Sequence, residues 1–259
     1  ADNNLGYCET IAATNPCVTA DTWVMTADGP RQVADLIGRP FEAVVDGRPH
    51  ATESAGFFAT GHKPVLRLRT REGHELRLTH DHPVRRVTKQ TRYLQHADWC
   101  AAGALQPGDA VVLNDHRAML GWPGVGCADE GYLLGLLIGD GHLGARKAVL
   151  SVWAPELRAA GADTNAIVSG AGGVMRAVSD AIARLPHRAD FRGWQRPVAG
   201  RGECRLASAP LRDLALGMGM APGHKTITPR MESAGSDFCR GLLRGLFDRI
   251  YVINLPERA

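Results

Sequence analysis

The sequence predicts an all-β domain followed by a mixed α/β domain. Between residues 17 and 117, short runs of alternating apolar and polar residues are separated by turn dipeptides such as Asp-Gly and Glu-Gly, a pattern typical of hairpins. A Gly- and Pro-rich stretch at 121–131 then interrupts this pattern. After it, apolar residues recur at helical spacing between short strand-like runs, which favours an α/β domain over residues 118–249.

The first domain is predicted from strands with a period of two residues. Alternating runs occupy 22–26, 41–45, 65–70 and 74–79, and turn residues follow the first three. A Pro-Gly turn then leads into a further strand predicted within 105–114. Many short strands at close spacing favour an all-β architecture.

The second domain combines helices with strands. Helical spacing predicts helices at 130–141, 172–184, 211–219 and 236–248, and alternation predicts strands at 148–153 and 203–208. Asp129 is the predicted N-cap of the first helix, because its side chain is a good acceptor for free amides at a helix start. The first and last helices share Gly-Leu-Leu or Gly-Leu-Phe sequences about 110 residues apart, which indicates an internal repeat.

Composition and charge leave a nucleic-acid partner open and argue against a membrane partner. The 259 residues are 44% hydrophobic and 22% charged, with a net charge of +3, as in ordinary folded proteins. The longest apolar run, 132–139, is too short to span a bilayer, and the first ten residues lack the features of a signal peptide. The six cysteines form no CxxC pair, which argues against a zinc site and favours a reduced, cytoplasmic setting.

Cys17 is a candidate nucleophile. A thiolate attacks carbonyl groups readily, and a histidine that meets it in space activates it. His82 lies 65 residues later, directly after a predicted strand. The two residues alone are compatible with a nucleophile and its histidine, and equally with a small buried cysteine and an unrelated loop histidine.

Three blocks in order resemble the splicing blocks of inteins, whose fold is the hedgehog/intein (HINT) domain. CVTADTWVMTADG at 17–29 resembles the first block, and GHELRLTHDHPV at 73–84 resembles the second, with its Gly73, Thr79 and His82. LQPGDAVV at 105–112 resembles the strand that follows.

The intein resemblance implies a chemistry at the Pro16–Cys17 bond. Cys17 attacks the carbonyl of Pro16 in an N–S acyl shift that needs no cofactor. Thr79 holds the scissile amide, and His82 protonates the leaving nitrogen as a general acid. The ring of Pro16 restricts approach to its carbonyl, so we expect a slow or gated reaction.

The segment before Cys17 resembles a host protein. NNLGYCETIAATNPC, at 3–17, is similar to the active-site segment of class II, cobalamin-dependent ribonucleotide reductases, in which Asn-Pro-Cys is followed by Gly-Glu. Here Gly-Glu does not follow Cys17, as expected for an insertion at that cysteine. Residues 1–16 are therefore predicted to be the N-extein, a flanking partner in cis.

The second domain resembles the LAGLIDADG homing endonucleases that are nested in inteins. LLGLLIGDGHLG at 133–144 resembles the LAGLIDADG motif, which implies that Asp140 binds Mg²⁺ and that Gly135 and Gly139 allow close helix packing. GHKTITPR at 223–230 resembles the block that carries an active-site lysine, here Lys225.

The second LAGLIDADG motif departs from the family pattern. LLRGLFD at 242–248 begins it, but Ile250 stands where the second metal-binding Asp is expected. Residues 250–259 are predicted to be an unrelated or frameshifted tail, and the C-terminal splicing residues are predicted to be absent. Both domains are therefore expected to be incomplete, and the endonuclease degenerate.

Basic residues of the second domain are candidates for contacts with double-stranded DNA, since phosphate neutralisation needs Lys and Arg. They are Arg146, Lys147, Arg192, Arg196 and Arg201.

The leading hypothesis is thus an N-terminal intein half that performs the acyl shift without splicing. The alternatives are a DNA-binding or DNA-cleaving protein with an inert β domain, a cysteine hydrolase using Cys17 and His82, and a nonfunctional relic. A further alternative assigns the chain the function of its host, a ribonucleotide reductase.

Overall fold

The computed structural model describes residues 16–52, 55–115, 121–153, 170–186, 191–196 and 203–251, with the side chains of the last helix described as far as residue 248. The chain divides into two compact units, 1–120 and 121–259. Three predicted features lie outside the described residues: the host segment before Pro16, Arg201, and the tail from 252 onward.

The N-terminal unit begins with a four-stranded antiparallel sheet in the order β2-β1-β3-β4. Its strands are β1 (Trp23–Thr26), β2 (Gly29–Gln32), β3 (Glu42–Val45) and β4 (Arg48–Ala51). Asp46 and Gly47 join β3 to β4 with φ values of 48° and 79°, as the Asp-Gly hairpin signal predicts.

Two separate hairpins follow. They are formed by β5 (Leu66–Arg69) with β6 (Glu75–Leu78), and by β7 (Pro83–Gln90) with β8 (Gln95–Ala101). The unit is thus rich in β structure, while its assignment to the HINT fold stays a prediction.

The strand predicted within 105–114 is wrong in extent. Only Val111 forms a bridge, to Arg86 of β7, supported by a hydrogen bond from the Val112 amide to the Arg85 carbonyl at 2.9 Å. A turn takes up the first part of the segment, where Asp109 accepts a hydrogen bond from the Gln106 amide. After this turn, the described segment meets β7 at this one bridge and does not form a regular strand.

The N-terminal unit buries few apolar side chains. Among its described residues, the buried hydrophobic side chains are Val33, Leu36, Leu78 and Ala102. Large apolar side chains stay in contact with solvent, among them Phe58 and Trp99, which are 64% and 50% exposed. Because apolar burial is the main favourable term in folding, this unit gains little stability from its own core.

The C-terminal unit is an α/β unit with a single large core. Its elements are α1 (Ala128–Asp140), β9 (His142–Leu143), β10 (Ala148–Trp153), α2 (Ala171–Ile182), β11 (Trp194–Gln195), β12 (Glu203–Ser208), α3 (Ala209–Gly217), α4 (Pro229–Glu232) and α5 (Ser236–Tyr251). The strands form an antiparallel sheet in the order β11-β12-β10-β9. Strands β10 and β12 have the predicted bounds.

Two predictions at helix ends need correction. Asp129 is not the N-cap of α1, because Cys127 holds that position and its amide donates to the Glu130 carboxylate at 2.9 Å in a capping box. Asp129 lies in the first turn and pairs with Arg184 instead. The last helix, predicted over 236–248, does not end at Asp248, because α5 continues to Tyr251.

Helices α1 and α5 pack backbone to backbone through four glycines. A Cβ atom on Gly135 would lie 2.2 Å from the Leu242 carbonyl oxygen, and one on Gly245 would lie 2.3 Å from the Tyr132 carbonyl oxygen. Gly131 and Gly241 meet carbonyl groups of the facing helix in the same way, whereas Gly139, predicted to pack closely, is exposed. The glycine contacts of one helix thus repeat in the other, as the internal repeat in the sequence predicts.

No helix among the described residues has the length and apolar character needed to cross a membrane.

We expect Gly135→Ala to destabilise the C-terminal unit by about 3 kcal/mol, because the added methyl group overlaps a backbone carbonyl that has nowhere to move. This loss outweighs the gain of about 1 kcal/mol that Ala brings to a helix interior. The matched control is Gly217→Ala at the end of α3, where an added Cβ meets open space. Urea unfolding followed by circular dichroism at the helix band measures both variants, and equal midpoints would contradict the packing argument.

Candidate functional site

Cys17 lies at the start of a short extended segment that pairs with the edge of β6. Val18 forms an antiparallel bridge with Leu78, and the Thr19 amide donates to the Arg77 carbonyl at 3.2 Å. Leu78 is fully buried, so the strand that receives the segment is fixed by the core of the unit. This pairing gives the Pro16–Cys17 bond a defined position beside the end of β6.

Thr79 contacts both backbone polar groups of Cys17. The Cys17 amide donates to Thr79 Oγ1 at 3.0 Å, and the Thr79 amide donates to the Cys17 carbonyl at 2.9 Å. The Thr79 side chain is 5% exposed, so this hydroxyl has little competition from water. The structure therefore brings Thr79 onto the nitrogen of the predicted scissile bond.

His82 completes the cluster through the turn that follows Thr79. Its amide donates to the Thr79 carbonyl at 3.1 Å, and its carbonyl accepts a hydrogen bond from the Ala102 amide at 2.8 Å, so the backbone is held on both sides. The imidazole forms a hydrogen bond with the Cys17 backbone. The sequence predicts that Cys17, Thr79 and His82 act together, and the structure brings them into contact.

Burial lowers the pKa of the His82 imidazole from its usual 6.5, against the opposing effects of the hydrogen bond to the Cys17 backbone and of the nearby Asp81. Its Nδ1 atom is buried and has no hydrogen-bond partner within the described part of the chain. A lowered pKa favours the neutral imidazole, the form that accepts a proton.

Two residues that no sequence pattern predicts contact the Cys17 sulfur. Thr60 Oγ1 lies 3.1 Å from the sulfur, and Lys63 Nζ donates to it at 3.5 Å. Both belong to the loop between β4 and β5, more than 40 residues along the chain. Neither strand period nor turn signal marks this loop as part of a site, so the path of the backbone alone reveals the contact.

The predicted endonuclease residues lie at the end of α1. Asp140 is the last residue of that helix and is exposed. Lys225 Nζ donates to the Gly141 carbonyl at 2.5 Å, and burial lowers the pKa of its ammonium group. The structure thus brings Lys225 to the helix end that carries Asp140.

The described residues hold no preformed set of ligands for a catalytic Mg²⁺ ion. Within the described ranges, no three His, Cys, Asp or Glu side chains come together as metal ligands. The sequence places the apolar Ile250 where the second carboxylate is expected. One carboxylate leaves most of the oxygen positions around a divalent ion to water or to substrate phosphates.

Asp248, two residues before Ile250, links α5 to α1. The Tyr132 hydroxyl donates to its carboxylate at 2.9 Å, and Arg244 lies 3.5 Å from the same oxygen. Burial and this hydrogen bond raise the pKa of the Tyr132 hydroxyl well above its usual 10. Asp248 is thereby engaged in a link between helices, beside the Arg244 guanidinium that stacks on the Tyr132 ring.

The described DNA-contact candidates do not form one cluster. Arg146 and Lys147 lie exposed in the turn between β9 and β10, at one edge of the sheet. Arg192 and Arg196 lie exposed beside β11, at the opposite edge. The sheet therefore separates two pairs of cations by the width of its inner strands β12 and β10.

Comparisons with known proteins find a partial relative. No protein-family model matches the chain. Over 131 residues the chain is 34% identical to the replicative DNA helicase DnaB of Rhodothermus marinus. This alignment covers 48% of the chain and spans only 13% of the length of that helicase.

We expect the stability of the N-terminal unit to fall as the pH drops below about 6.5, because the unfolded chain binds a proton on His82 before the folded chain does. The stability that depends on neutral His82 is present above the unfolded pKa and is lost as the pH falls through the lower folded pKa. Hydrogen exchange of peptides that cover β6, measured in urea at about pH 7.5 and about pH 5.5, reports this difference.

The control for this measurement is a pair of variants. His82→Gln should reduce the pH dependence, whereas His96→Gln, at an exposed position of β8, should leave it unchanged. The same pH dependence in all three proteins would contradict the assignment to His82.

Proposed function

We propose that the N-terminal unit performs an intein-type N–S acyl shift at the Pro16–Cys17 bond. The observation that carries the proposal is the double contact of Thr79 with the Cys17 amide and carbonyl, next to the His82 imidazole on the Cys17 backbone. These groups act on a peptide bond of the chain itself. This arrangement supports an autocatalytic rearrangement, because the amide that would react is already hydrogen-bonded to Thr79.

The reaction has a balanced sequence of bond changes. The Cys17 sulfur attacks the Pro16 carbonyl carbon as its thiol proton leaves to solvent. The carbon–nitrogen bond then breaks as His82, which takes up a proton from solvent, delivers that proton to the Cys17 nitrogen, and this leaves a thioester and a free amine. Thr79 orients the nitrogen throughout, because its hydroxyl already accepts the amide hydrogen.

The partial helicase similarity supports an inserted element. An element that interrupts different host proteins matches only a fraction of a relative's length, as here. The chain contains no GxxxxGK[ST] sequence, so nothing in it resembles the nucleotide-binding loop of an ATP-driven helicase. We propose that the interrupted host is a class II ribonucleotide reductase, on the sequence of residues 3–17, and that the flanking host segment is the partner in cis.

A cysteine hydrolase receives less support from the same contacts. A hydrolase needs its histidine directed at the nucleophilic atom and an external carbonyl beside it. The hydrogen bond of the His82 imidazole is with the Cys17 backbone, and Thr79 likewise engages the backbone. The Pro16 carbonyl is bonded directly to the Cys17 nitrogen, so the acyl shift needs no external substrate.

A second candidate function is DNA binding by the C-terminal unit, proposed as a degenerate LAGLIDADG-type unit. The observation that favours it is the pair of exposed cation groups at the two edges of its sheet. The symmetric glycine packing of α1 and α5 supports the family assignment. The lack of a fitting metal site among the described residues argues for binding without cleavage.

We expect dithiothreitol to release a 16-residue leader from the chain at neutral pH, as seen by intact-mass spectrometry. Cys17→Ala should abolish release, and His82→Ala should slow it by about 10²- to 10⁴-fold. Thr79→Val should slow it by about tenfold, the value of one hydrogen bond. Thr88→Val, at an exposed position of β7, is the matched control and should react as the parent does.

Two outcomes would argue against the acyl shift. One is release that persists in Cys17→Ala, which would point to ordinary hydrolysis. The other is a stable leader in a chain whose β6 amides are protected from exchange, because the site would then be assembled but inert.

We expect the C-terminal unit to bind duplex DNA with an affinity that falls with salt, and not to nick it with or without Mg²⁺. Replacing Arg192 and Arg196 by Ala should weaken binding equally for all sequences and lower the salt slope by about two. Arg71→Ala, in an exposed turn of the N-terminal unit, is the control. Mg²⁺-dependent nicking that Asp140→Asn abolishes would contradict the degenerate assignment.

A further inference from the structure

The Cys17 sulfur receives two polar contacts from a single loop. Thr60 shares a hydrogen bond with the sulfur at 3.1 Å, and Lys63 directs its ammonium group at the sulfur from 3.5 Å. Thr60 is half-buried and Lys63 is exposed. A hydroxyl group and a cation close to a sulfur atom both stabilise a negative charge on that sulfur.

The loop that carries these two residues is fixed at both ends. At its start, Phe57 stacks on Phe41 with ring centroids 5.5 Å apart, and its carbonyl accepts a hydrogen bond from the Gly38 amide at 2.9 Å. At its end, the chain enters β5 at Leu66, which pairs with Leu78 of β6. Leu78 is also the residue that bridges to Val18, so the loop and the Cys17 segment are attached to the same strand.

We propose that Lys63 is a further catalytic residue, which stabilises the negative charge on the Cys17 sulfur as the thiol loses its proton and attacks. The ammonium group makes and breaks no bond. The thiol proton leaves to solvent, and His82 protonates the Cys17 nitrogen, as in the acyl shift. Thr60 is a positioning residue that holds the sulfur on the side of the cation.

This role rests on the proposed acyl shift, yet it predicts a property of the thiol that is measurable without that reaction. Thiolates, not thiols, react with alkylating agents, so the alkylation rate of Cys17 reports the charge around its sulfur. Because Lys63 is exposed, salt screens its effect, and we expect changes of several-fold rather than many orders of magnitude.

The test is peptide-resolved alkylation of the full chain by iodoacetamide at neutral pH and low salt. Lys63→Met should slow the reaction of Cys17 by about three- to tenfold, Lys63→Glu should slow it further, and Lys63→Arg should retain most of the rate. Cys127, an exposed cysteine of the other unit, is the internal reference, and Lys89→Met on β7 is the matched control variant.

The outcomes separate this inference from the proposed function. Rates that follow the charge at position 63, with thiol-induced leader release in the same order, support both. Charge-ordered alkylation without release from any variant supports the role of Lys63 at the sulfur and contradicts the acyl shift. Equal alkylation in Lys63→Met and the parent, or a loss in Lys63→Arg as large as in Lys63→Met, overturns the role of Lys63.

Discussion

The pairing of residues 17–19 with the end of β6 is the interaction on which the candidate site depends. It places three residues near the start of the described chain alongside a strand whose last residue, Leu78, is fully buried. The next residue, Thr79, then meets the Cys17 backbone at two points. Without this pairing, the thiol of the site would not be held next to the hydroxyl and the imidazole.

The two units differ in how much apolar surface they bury and in whether they contain a cluster of candidate reactive residues. The N-terminal unit assembles contacts around Cys17 although its described residues bury few apolar side chains, so its site relies on backbone hydrogen bonds and turns. The C-terminal unit has a large core and closely packed helices, yet no metal-binding group in its described residues. The large apolar core and the candidate site around Cys17 therefore lie in different units.

Sequence patterns predicted the contacts that follow from motifs and missed those that follow from the path of loops. Thr79 and His82 stand three residues apart on one turn, so a motif captures both, and the bounds of β10 and β12 follow from alternation. Thr60 and Lys63 carry no local signal, because their role comes only from where an irregular loop passes. Asp129 shows the limit of propensity: a good capping residue is overruled when Cys127 and Glu130 form the cap.

The packing of α1 against α5 depends on residues other than those expected to bind a metal. Close approach of the helices needs glycine where the carbonyl groups meet, and Gly131, Gly135, Gly241 and Gly245 meet this need. Metal binding needs a carboxylate at a different position, where the sequence has Ile250. Since α5 continues past Asp248, the apolar residue is carried by an intact helix. Helix packing and the expected metal binding therefore depend on different residues, so the packing of α1 against α5 does not require the second carboxylate.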